Sequence, residues 1–161
     1  MIRPAKKEDA EILTKISYKS KGYWDYPQAY FEIWSNELTI STDYIKKNEV
    51  FVFELDGDIV GYYSLVELSE NIEICGVTIG KGFWLEHMFI DPENIGSGIG
   101  TKMFNHLRDR CRSRGINELG ILADPNSRGF YEKLGCVFKR EYPSTINNRT
   151  TPYLQLKIRE R

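Results

Sequence analysis

The chain has 161 residues, of which 41% are hydrophobic, and this is enough for one globular domain with its own core. Its 22 basic and 23 acidic residues leave a net charge of −1, so the bulk charge favours neither nucleic acid nor a membrane surface as a partner. No apolar run approaches transmembrane length, and the polar amino terminus lacks the apolar core of a signal peptide.

The amino-terminal half predicts helices followed by a β-hairpin. Apolar residues at helical spacing favour a first helix, which the aromatic segment 22–27 ends, and Ser41 is a suitable N-cap for a later one. Asp56-Gly57 between two alternating apolar runs predicts a hairpin turn. The predicted elements here are strands over 2–4, 50–55 and 59–68, and helices over 8–19, 28–36 and 41–48.

The carboxy-terminal half predicts strands that alternate with two helices. Gly115 and Gly135 each follow a predicted helix at the position where glycine commonly ends one. The predicted elements are a weak strand over 72–79, strands over 81–90, 116–123, 137–142 and 153–158, and helices over 98–114 and 126–134. We therefore expect the α/β class, with a mixed central sheet flanked by helices, in a single domain over residues 1–161.

The cysteines and histidines give no metal-binding pattern. Cys75, Cys111 and Cys136 are odd in number and widely spaced, which is typical of a reducing compartment and matches no zinc-ligand spacing. The sequence has two histidines, His87 and His106. We expect a cytoplasmic protein without a metal site.

The most informative stretch is the glycine-rich run from Ile95 to Gly100, Ile-Gly-Ser-Gly-Ile-Gly. It lies between a predicted apolar strand and a predicted helix. Glycines let backbone N–H groups approach a phosphate closely, and a helix N-terminus adds unpaired donors and partial positive charge. The run therefore predicts a phosphorylated ligand, although a tight turn that needs glycine for positive φ is an alternative.

Two common phosphate loops do not fit this run. A Walker A loop needs Lys directly after its last glycine, but Thr101 follows Gly100 and Lys102 comes one position late. A dinucleotide fingerprint that begins at Gly96 needs its third glycine at position 101, which is threonine, and it belongs near the first strand of a βαβ unit. Spacing thus disfavours both.

A third pattern fits two segments in order. Leu85–Pro92 followed by Gly96-x-Gly98-Ile99-Gly100 resembles the coenzyme A-binding core of the GNAT N-acetyltransferases, and Ala123–Phe138 resembles the later motif of that family, Asn followed by x-x-Tyr-x-Lys-x-Gly-Phe. With the amino-terminal half, the resemblance covers nearly the whole chain. One departure is Ile95, where the family has Arg or Gln beside the pyrophosphate, and this implies weaker coenzyme binding.

The resemblance implies how acetyl-CoA would bind. The strand before the glycine run and the strand after the long helix splay apart in the family, and main-chain groups around Phe89 and Ile90 would pair with the pantetheine amides in that gap. The pyrophosphate would lie on backbone N–H groups of the glycine run, and Asn126 matches a residue on the pantetheine side that could equally cap its helix. The expected cofactor-binding residues are Phe89, Ile90, Ile95, Gly96, Ser97, Gly98, Ile99, Gly100, Thr101 and Asn126.

Two further residues are candidate catalytic groups. Glu86 interrupts an apolar run and matches an acidic position in several small-molecule acetyltransferases of the family, where a base would take a proton from the amine; a solvent-facing or structural carboxylate is the alternative. His87 would face the other side of a regular strand and is expected in the core. Tyr131 matches the tyrosine near the coenzyme sulfur, where it would stabilise or protonate the leaving thiolate; packing beside Phe130 is the alternative.

The acceptor is less readable. Trp24 and Tyr26 lie where the family has its variable acceptor loop, and aromatics beside carboxylates suit a cationic amine, as well as ordinary packing. Together with Glu86 they are the expected substrate-binding residues, and 144–151 is a candidate second wall. We expect direct acetyl transfer from acetyl-CoA to a small primary amine. A protein or peptide acceptor, a non-catalytic acyl-CoA sensor and a homodimer are left open.

Overall fold

The computed structural model describes residues 1–159. The strands within this range are β1 (Ile2–Pro4), β2 (Glu49–Leu55), β3 (Asp58–Leu68), β4 (Ile72–Ile74), β5 (Val77–Ile79), β6 (Gly82–Ile90), β7 (Glu118–Leu122), β8 (Val137–Pro143) and β9 (Thr150–Lys157). The α-helices are α1 (Ala10–Gly22), α2 (Gln28–Ile33), α3 (Ser35–Leu38), α4 (Thr42–Lys47), α5 (Ile99–Ser113) and α6 (Arg128–Lys133).

Seven of these strands form one mixed sheet in the order β1-β2-β3-β6-β7-β9-β8, and β4 and β5 form a separate hairpin. The β6–β7 ladder is parallel, whereas β1–β2, β2–β3, β7–β9 and β8–β9 are antiparallel. The α/β class and the mixed sheet predicted from the sequence are therefore confirmed.

The described residues group into two compact units. The first contains Met1–Leu65 and His87–His106, and the second contains Val66–Glu86 and the chain from Leu107 onward. The prediction of a single domain stays a prediction.

The core of the first unit forms between α1, α4 and strands β2 and β3. Leu13 and Ile16 of α1 are buried in one cluster with Val50, Val52 and Tyr62. These helix positions are on the apolar face that the sequence predicts, and alternate residues of the strands meet them. The helix begins at Ala10 rather than Glu8, because residues 7–9 form a 3-10 turn.

The second unit is built around β7. Its ladder with β6 pairs Phe83–Leu85 with Leu119–Ile121, and its ladder with β9 runs from Glu118 to Leu122. The described β6–β7 pairing therefore ends at Leu85, although β6 itself continues to Ile90. This early end agrees with the splayed central strands expected from the resemblance.

Several predicted boundaries are wrong by a few residues. The helix expected over 28–36 is interrupted at Trp34, which separates α2 from α3. The helix expected over 126–134 begins as a 3-10 turn at Pro125–Ser127 and becomes α6 at Arg128. β9 begins at Thr150, three residues earlier than predicted, because its first residues pair with Tyr142 and Pro143 of β8. No helix within residues 1–159 is long and apolar enough to cross a membrane.

Candidate functional site

The glycine run forms a turn that leads directly into α5. Gly96 and Gly98 have φ of +85° and +82°, a backbone conformation that side chains disfavour. A Cβ built on either residue meets no atom within 4 Å, so the space above both is open. A 3-10 turn at Pro92–Asn94 precedes the run, and the Asp91 carboxylate accepts a hydrogen bond from the Glu93 N–H at 3.1 Å.

This turn presents unpaired donors. Lys102 N–H donates to the Gly98 carbonyl at 3.1 Å, which makes it the first hydrogen bond of α5. Across residues 1–159, no protein acceptor pairs with the N–H groups of Gly98, Ile99, Gly100 and Thr101. Open space beside several N–H groups at the positive end of a helix fits a phosphate group. Ile95 is 48% exposed and adds no polar atom to the turn.

Phe89 and Ile90, on the last part of β6, are half-buried and lie beyond the end of the β6–β7 ladder. The Phe89 ring packs 6.0 Å from both Tyr62 and His87, measured between ring centroids. The structure thus places both residues in the first unit, together with the glycine run.

His87 is a core residue, as the sequence predicts, and is 7% exposed. Its Nε2 lies 2.7 Å from the Glu37 carbonyl, which can only accept, so this nitrogen carries the proton. Nδ1 lies 2.8 Å from the Ser64 hydroxyl, and Tyr44 donates to that hydroxyl at 2.9 Å. These hydrogen bonds fix the orientation of the imidazole ring and give His87 a structural role.

Glu86, the preceding residue, is exposed. Strand alternation places it on the same face of β6 as Trp84. The Trp84 ring lies 5.4 Å from Tyr153 of β9, and Tyr153 stacks on Tyr142 of β8 at 5.2 Å with an interplanar angle of 6°. We call Trp84, Tyr142 and Tyr153 the aromatic face of the second unit.

Sequence reasoning missed this aromatic face. The signal was present as Trp-x-Glu on one strand and as tyrosines on the last two strands. It could be used only with the register between β8 and β9, which pairs Tyr142 with Thr151 and Arg140 with Tyr153. That register depends on a bulge between Phe138 and Arg140, which the alternation of the sequence does not reveal.

Tyr131 lies on α6 of the second unit and is 6% exposed. Its ring packs edge-on against Phe130 at 5.2 Å. Burial, with smaller effects of Cys136 and Asp124, raises the pKa of Tyr131 above its ordinary value. Burial also raises the pKa of the Cys136 thiol to about 12. Both groups are therefore neutral at physiological pH, and Tyr131 can act as a hydrogen-bond donor.

Asn126 does not cap the helix that follows it, which corrects one alternative from the sequence. The N-cap of α6 is Ser127, and the preceding 3-10 turn is capped by Asp124, whose Oδ1 accepts from the Asn126 backbone N–H at 2.9 Å and from its side-chain amide at 3.0 Å. Arg149 in the β8–β9 connection lies 3.7 Å from the other carboxylate oxygen of Asp124, and both side chains are at most 16% exposed. This ion pair holds the candidate second wall, 144–151, against the start of α6.

Trp24 and Tyr26 differ in their surroundings. Trp24 is 40% exposed and packs against Tyr23. Tyr26 packs edge-on against Trp34 at 5.1 Å, and the Lys21 ammonium lies 4.5 Å from the Trp34 ring and 5.7 Å from the Tyr26 ring. A cation of the protein itself therefore contacts the aromatic surface that was expected to receive an amine.

The expected site residues are divided between the two units. The first unit contains the glycine run, Phe89, Ile90, Trp24 and Tyr26, and the second contains Glu86, Asn126 and Tyr131. Within residues 1–159, no group of three or more His, Cys, Asp or Glu side chains is arranged to hold a metal ion.

Comparison with known proteins identifies relatives of this fold. The family model described as the acetyltransferase (GNAT) family matches residues 18–136. A GCN5-related N-acetyltransferase from Rhodopseudomonas palustris is 20% identical with a TM-score of 0.76, and the match covers 98% of this chain and 94% of that one. PaiA N-acetyltransferase from Thermoplasma acidophilum, solved with coenzyme A, is 17% identical with a TM-score of 0.75 and 98% of both chains covered.

A third solved structure is that of an enzyme whose name gives a protein as its acceptor. The ribosomal-protein alanine N-acetyltransferase from Escherichia coli is 16% identical with a TM-score of 0.69, and the match covers 100% of this chain and 95% of that one. At these identities the structures establish the fold and not the acceptor. A search of curated protein sequences finds no match.

Proposed function

The chain belongs to the GNAT acetyltransferase family and is an N-acetyltransferase, and we propose that it transfers an acetyl group from acetyl-CoA directly to a primary amine of a small molecule. The observation that carries the proposal is the turn before α5, where Gly96 and Gly98 leave open space beside unpaired N–H groups. A pyrophosphate suits this turn by its negative charge and by the hydrogen-bond acceptors that it offers to these N–H groups. The missing side-chain donor at Ile95 leaves the backbone to bind it.

The reaction needs a neutral amine. An alkylamine with a pKa of about 10.4 lies roughly 3.4 units above pH 7, so deprotonation costs about 4.6 kcal/mol. Glu86 supplies a carboxylate that accepts this proton, directly or through water. The amine nitrogen then attacks the thioester carbonyl, the new C–N bond forms, and the C–S bond breaks to release coenzyme A as a thiolate.

Tyr131 stabilises the departing thiolate. A phenol with a pKa of about 10 is a weaker acid than a thiol with a pKa of about 8.5, and the burial of Tyr131 makes it weaker still. Full proton transfer to sulfur is therefore uphill, and a hydrogen bond from the Tyr131 hydroxyl is the better description of its role. The attacking nitrogen loses its second proton as the amide forms, and the thiolate takes up this proton through solvent, while Glu86 returns the first proton to bulk water.

The aromatic face supports a small acceptor. The half-buried rings of Tyr142 and Tyr153 lie on the sheet face that also bears the exposed Glu86 carboxylate. Such π-surface and negative charge together attract a compact cationic amine with an apolar body. An extended peptide is usually bound through main-chain hydrogen bonds to a strand edge. β8 is an edge strand of this sheet, and most of its exposed side chains are charged, which disfavours the addition of a further strand.

The test is an acetyl-transfer assay that follows release of free coenzyme A thiol with a panel of small amines and with lysine and N-terminal peptides. We expect turnover with a small amine and much less with peptides. Turnover with peptides alone would move the acceptor class to proteins. Coenzyme binding without turnover on either panel would indicate an acyl-CoA sensor.

The glycine turn has a matched control. Gly98→Asp should abolish coenzyme A binding in calorimetry, because it puts bulk and negative charge where the pyrophosphate lies. Gly57→Asp introduces the same residue at a similar φ of +86° with equally open space, but in the β2–β3 hairpin, and should bind coenzyme A as the unaltered protein does. Unchanged coenzyme A affinity in a folded Gly98→Asp variant would contradict the assignment of the pyrophosphate to this turn.

A further inference from the structure

A basic groove lies on the second unit and has no part in the chemistry above. Its volume is about 360 Å³, and it is formed by the last turns of α5, the end of α6, the start of β8 and the end of β9. The cations that line it are Arg108, Arg112, Lys139, Lys157 and Arg159. Within the described chain its remaining lining is apolar or neutral, with no carboxylate.

The two α5 arginines that line the groove are held in place by hydrogen bonds to backbone carbonyls. Arg108 and Arg112 are one helical turn apart, so they share a face of α5. Arg108 donates from Nη2 to the Leu134 carbonyl, and Arg112 donates from Nε to the Arg159 carbonyl at 2.7 Å. A guanidinium that is already fixed loses less side-chain entropy when it binds an anion.

The lining of the groove gathers positive charge. The Asp109 carboxylate accepts from Arg112 Nη1 at 2.9 Å, and Glu118 lies opposite Lys157 in the β7–β9 ladder. Among the described residues the lining itself holds five cations and no carboxylate, in a chain whose total charge is −1. Like charges gathered in a concave surface repel one another and attract a counter-ion of high charge.

We propose that this groove binds a phosphate-bearing small molecule of about nucleotide size. Its volume lies within the range of small-ligand pockets. Arginine forks bind phosphate oxygens in pairs, and lysines at the rim add point charges, so several phosphates suit the groove better than one carboxylate. Nucleic acid is disfavoured as the ligand, because nucleic-acid-binding proteins usually carry a long basic stripe and an overall positive charge, whereas this chain has a net charge of −1.

The probes are ATP and inorganic pyrophosphate, titrated by calorimetry in the presence of saturating coenzyme A. Coenzyme A fills the glycine turn, so any remaining binding comes from another site. We expect saturable binding of both probes, and weaker binding at higher salt. Loss of all ATP binding under saturating coenzyme A would assign it to the coenzyme site and overturn the proposal.

The variant Lys139→Gln/Lys157→Gln changes two exposed side chains and leaves the anchored arginines in place. It should weaken ATP and pyrophosphate binding by roughly tenfold or more. Lys46→Gln/Lys47→Gln, at the end of α4 in the first unit, removes the same charge elsewhere and should have no effect. An equal loss of ATP and pyrophosphate affinity in both double variants would mean that the overall charge of the protein, and not this groove, determines the binding, and would overturn the proposal.

A short DNA duplex is the third probe. Binding of the duplex that exceeds the affinity for ATP, with the same dependence on Lys139 and Lys157, would identify a nucleic-acid surface and contradict the proposal. Acetyl transfer to a small amine should proceed in the lysine variant at its normal rate. The binding assays test the groove and the acetyl-transfer assay tests the proposed activity, so a failure of one proposal can be distinguished from a failure of the other.

Discussion

At the scale of the residue, Tyr131 combines burial with a polar tip. Tyr131→Phe removes one oxygen and keeps the ring that packs on Phe130. We expect coenzyme A affinity to be retained and turnover to fall, by roughly 10²-fold for a group that assists the leaving thiolate. Calorimetry and a steady-state assay on the same preparation check this.

The elevated pKa of Tyr131 adds a condition to that prediction. The phenol stays protonated throughout the range in which the enzyme can be assayed, so the defect of Tyr131→Phe should not depend on pH. A defect that appears only at high or low pH would mean that another group titrates. Wild-type turnover in Tyr131→Phe would limit this side chain to packing.

Glu86 should give the opposite pH behaviour. If it accepts the proton of the acceptor amine, Glu86→Gln should lower the rate most at low pH, where the ammonium form dominates. The defect should shrink as the pH approaches the pKa of the amine, because neutral amine is then abundant. A pH–rate profile with one active amine measures this, and a defect of constant size would favour a positioning role.

At the scale of the element, the parallel β6–β7 ladder depends on a glycine. A Cβ built on Gly120 of β7 would lie 2.7 Å from the Trp84 ring, which is 9% exposed and donates from Nε1 to the Gly80 carbonyl at 3.0 Å. The ring is rigid and fixed at its nitrogen, so it cannot move aside freely.

Gly120→Ala should therefore destabilise the fold by about 1–3 kcal/mol, because it overpacks this strand pair. Gly80→Ala is the control, since a Cβ there meets no atom within 4 Å and Gly80 lies outside the strands. Urea unfolding of both variants gives the comparison. Equal stability of the two would show that the Trp84 ring has room to shift.

At the scale of the whole molecule, an ion cluster ties the first strand to the rest of the first unit. Arg3 contacts the Asp9 carboxylate at 2.9 Å and the Glu54 carboxylate at 2.5 Å. Burial alone would raise the pKa of Asp9, but hydrogen bonds from the Arg3 guanidinium and the Lys6 N–H outweigh it and hold the pKa below its ordinary value of 3.8.

The sign of the acid dependence follows from this lowered pKa. The contribution of Asp9 to the free energy of unfolding is complete above about pH 4 and is lost as the pH falls through its folded value. The stability lost in Asp9→Asn should therefore be constant from pH 8 to 5 and shrink below pH 4. Urea unfolding across this range checks it, and Asp43→Asn, an exposed carboxylate, is the control. A difference that grows on acidification would contradict the assignment.

The sequence predicted features whose causes are local. Three such features are the glycine spacing before α5, the Asp56-Gly57 turn and the Ser41 cap, whose hydroxyl accepts from the Tyr44 N–H at 3.0 Å. Each depends on neighbours within a few residues. The roles proposed for Glu86 and Tyr131 came from the family motif and stay predictions.

Features that join distant parts of the chain could not be predicted. Tyr142 and Tyr153 become one stacked pair only through the β8–β9 register. Arg108 and Arg159 line one groove although 50 positions separate them. Composition and periodicity do not predict such pairings, because both describe residues that are close in sequence and not contacts between residues that are far apart in it.

The place of β9 in the sheet has a consequence for biosynthesis. β9 lies between β7 and β8, so the strand that leaves the ribosome last among these three occupies the middle position. Until it emerges, β8 has no hydrogen-bonding partner in its own ladder and β7 has one open edge. Until residues 150–157 have left the ribosome, the nascent second unit therefore exposes strand edges of the kind that chaperones bind.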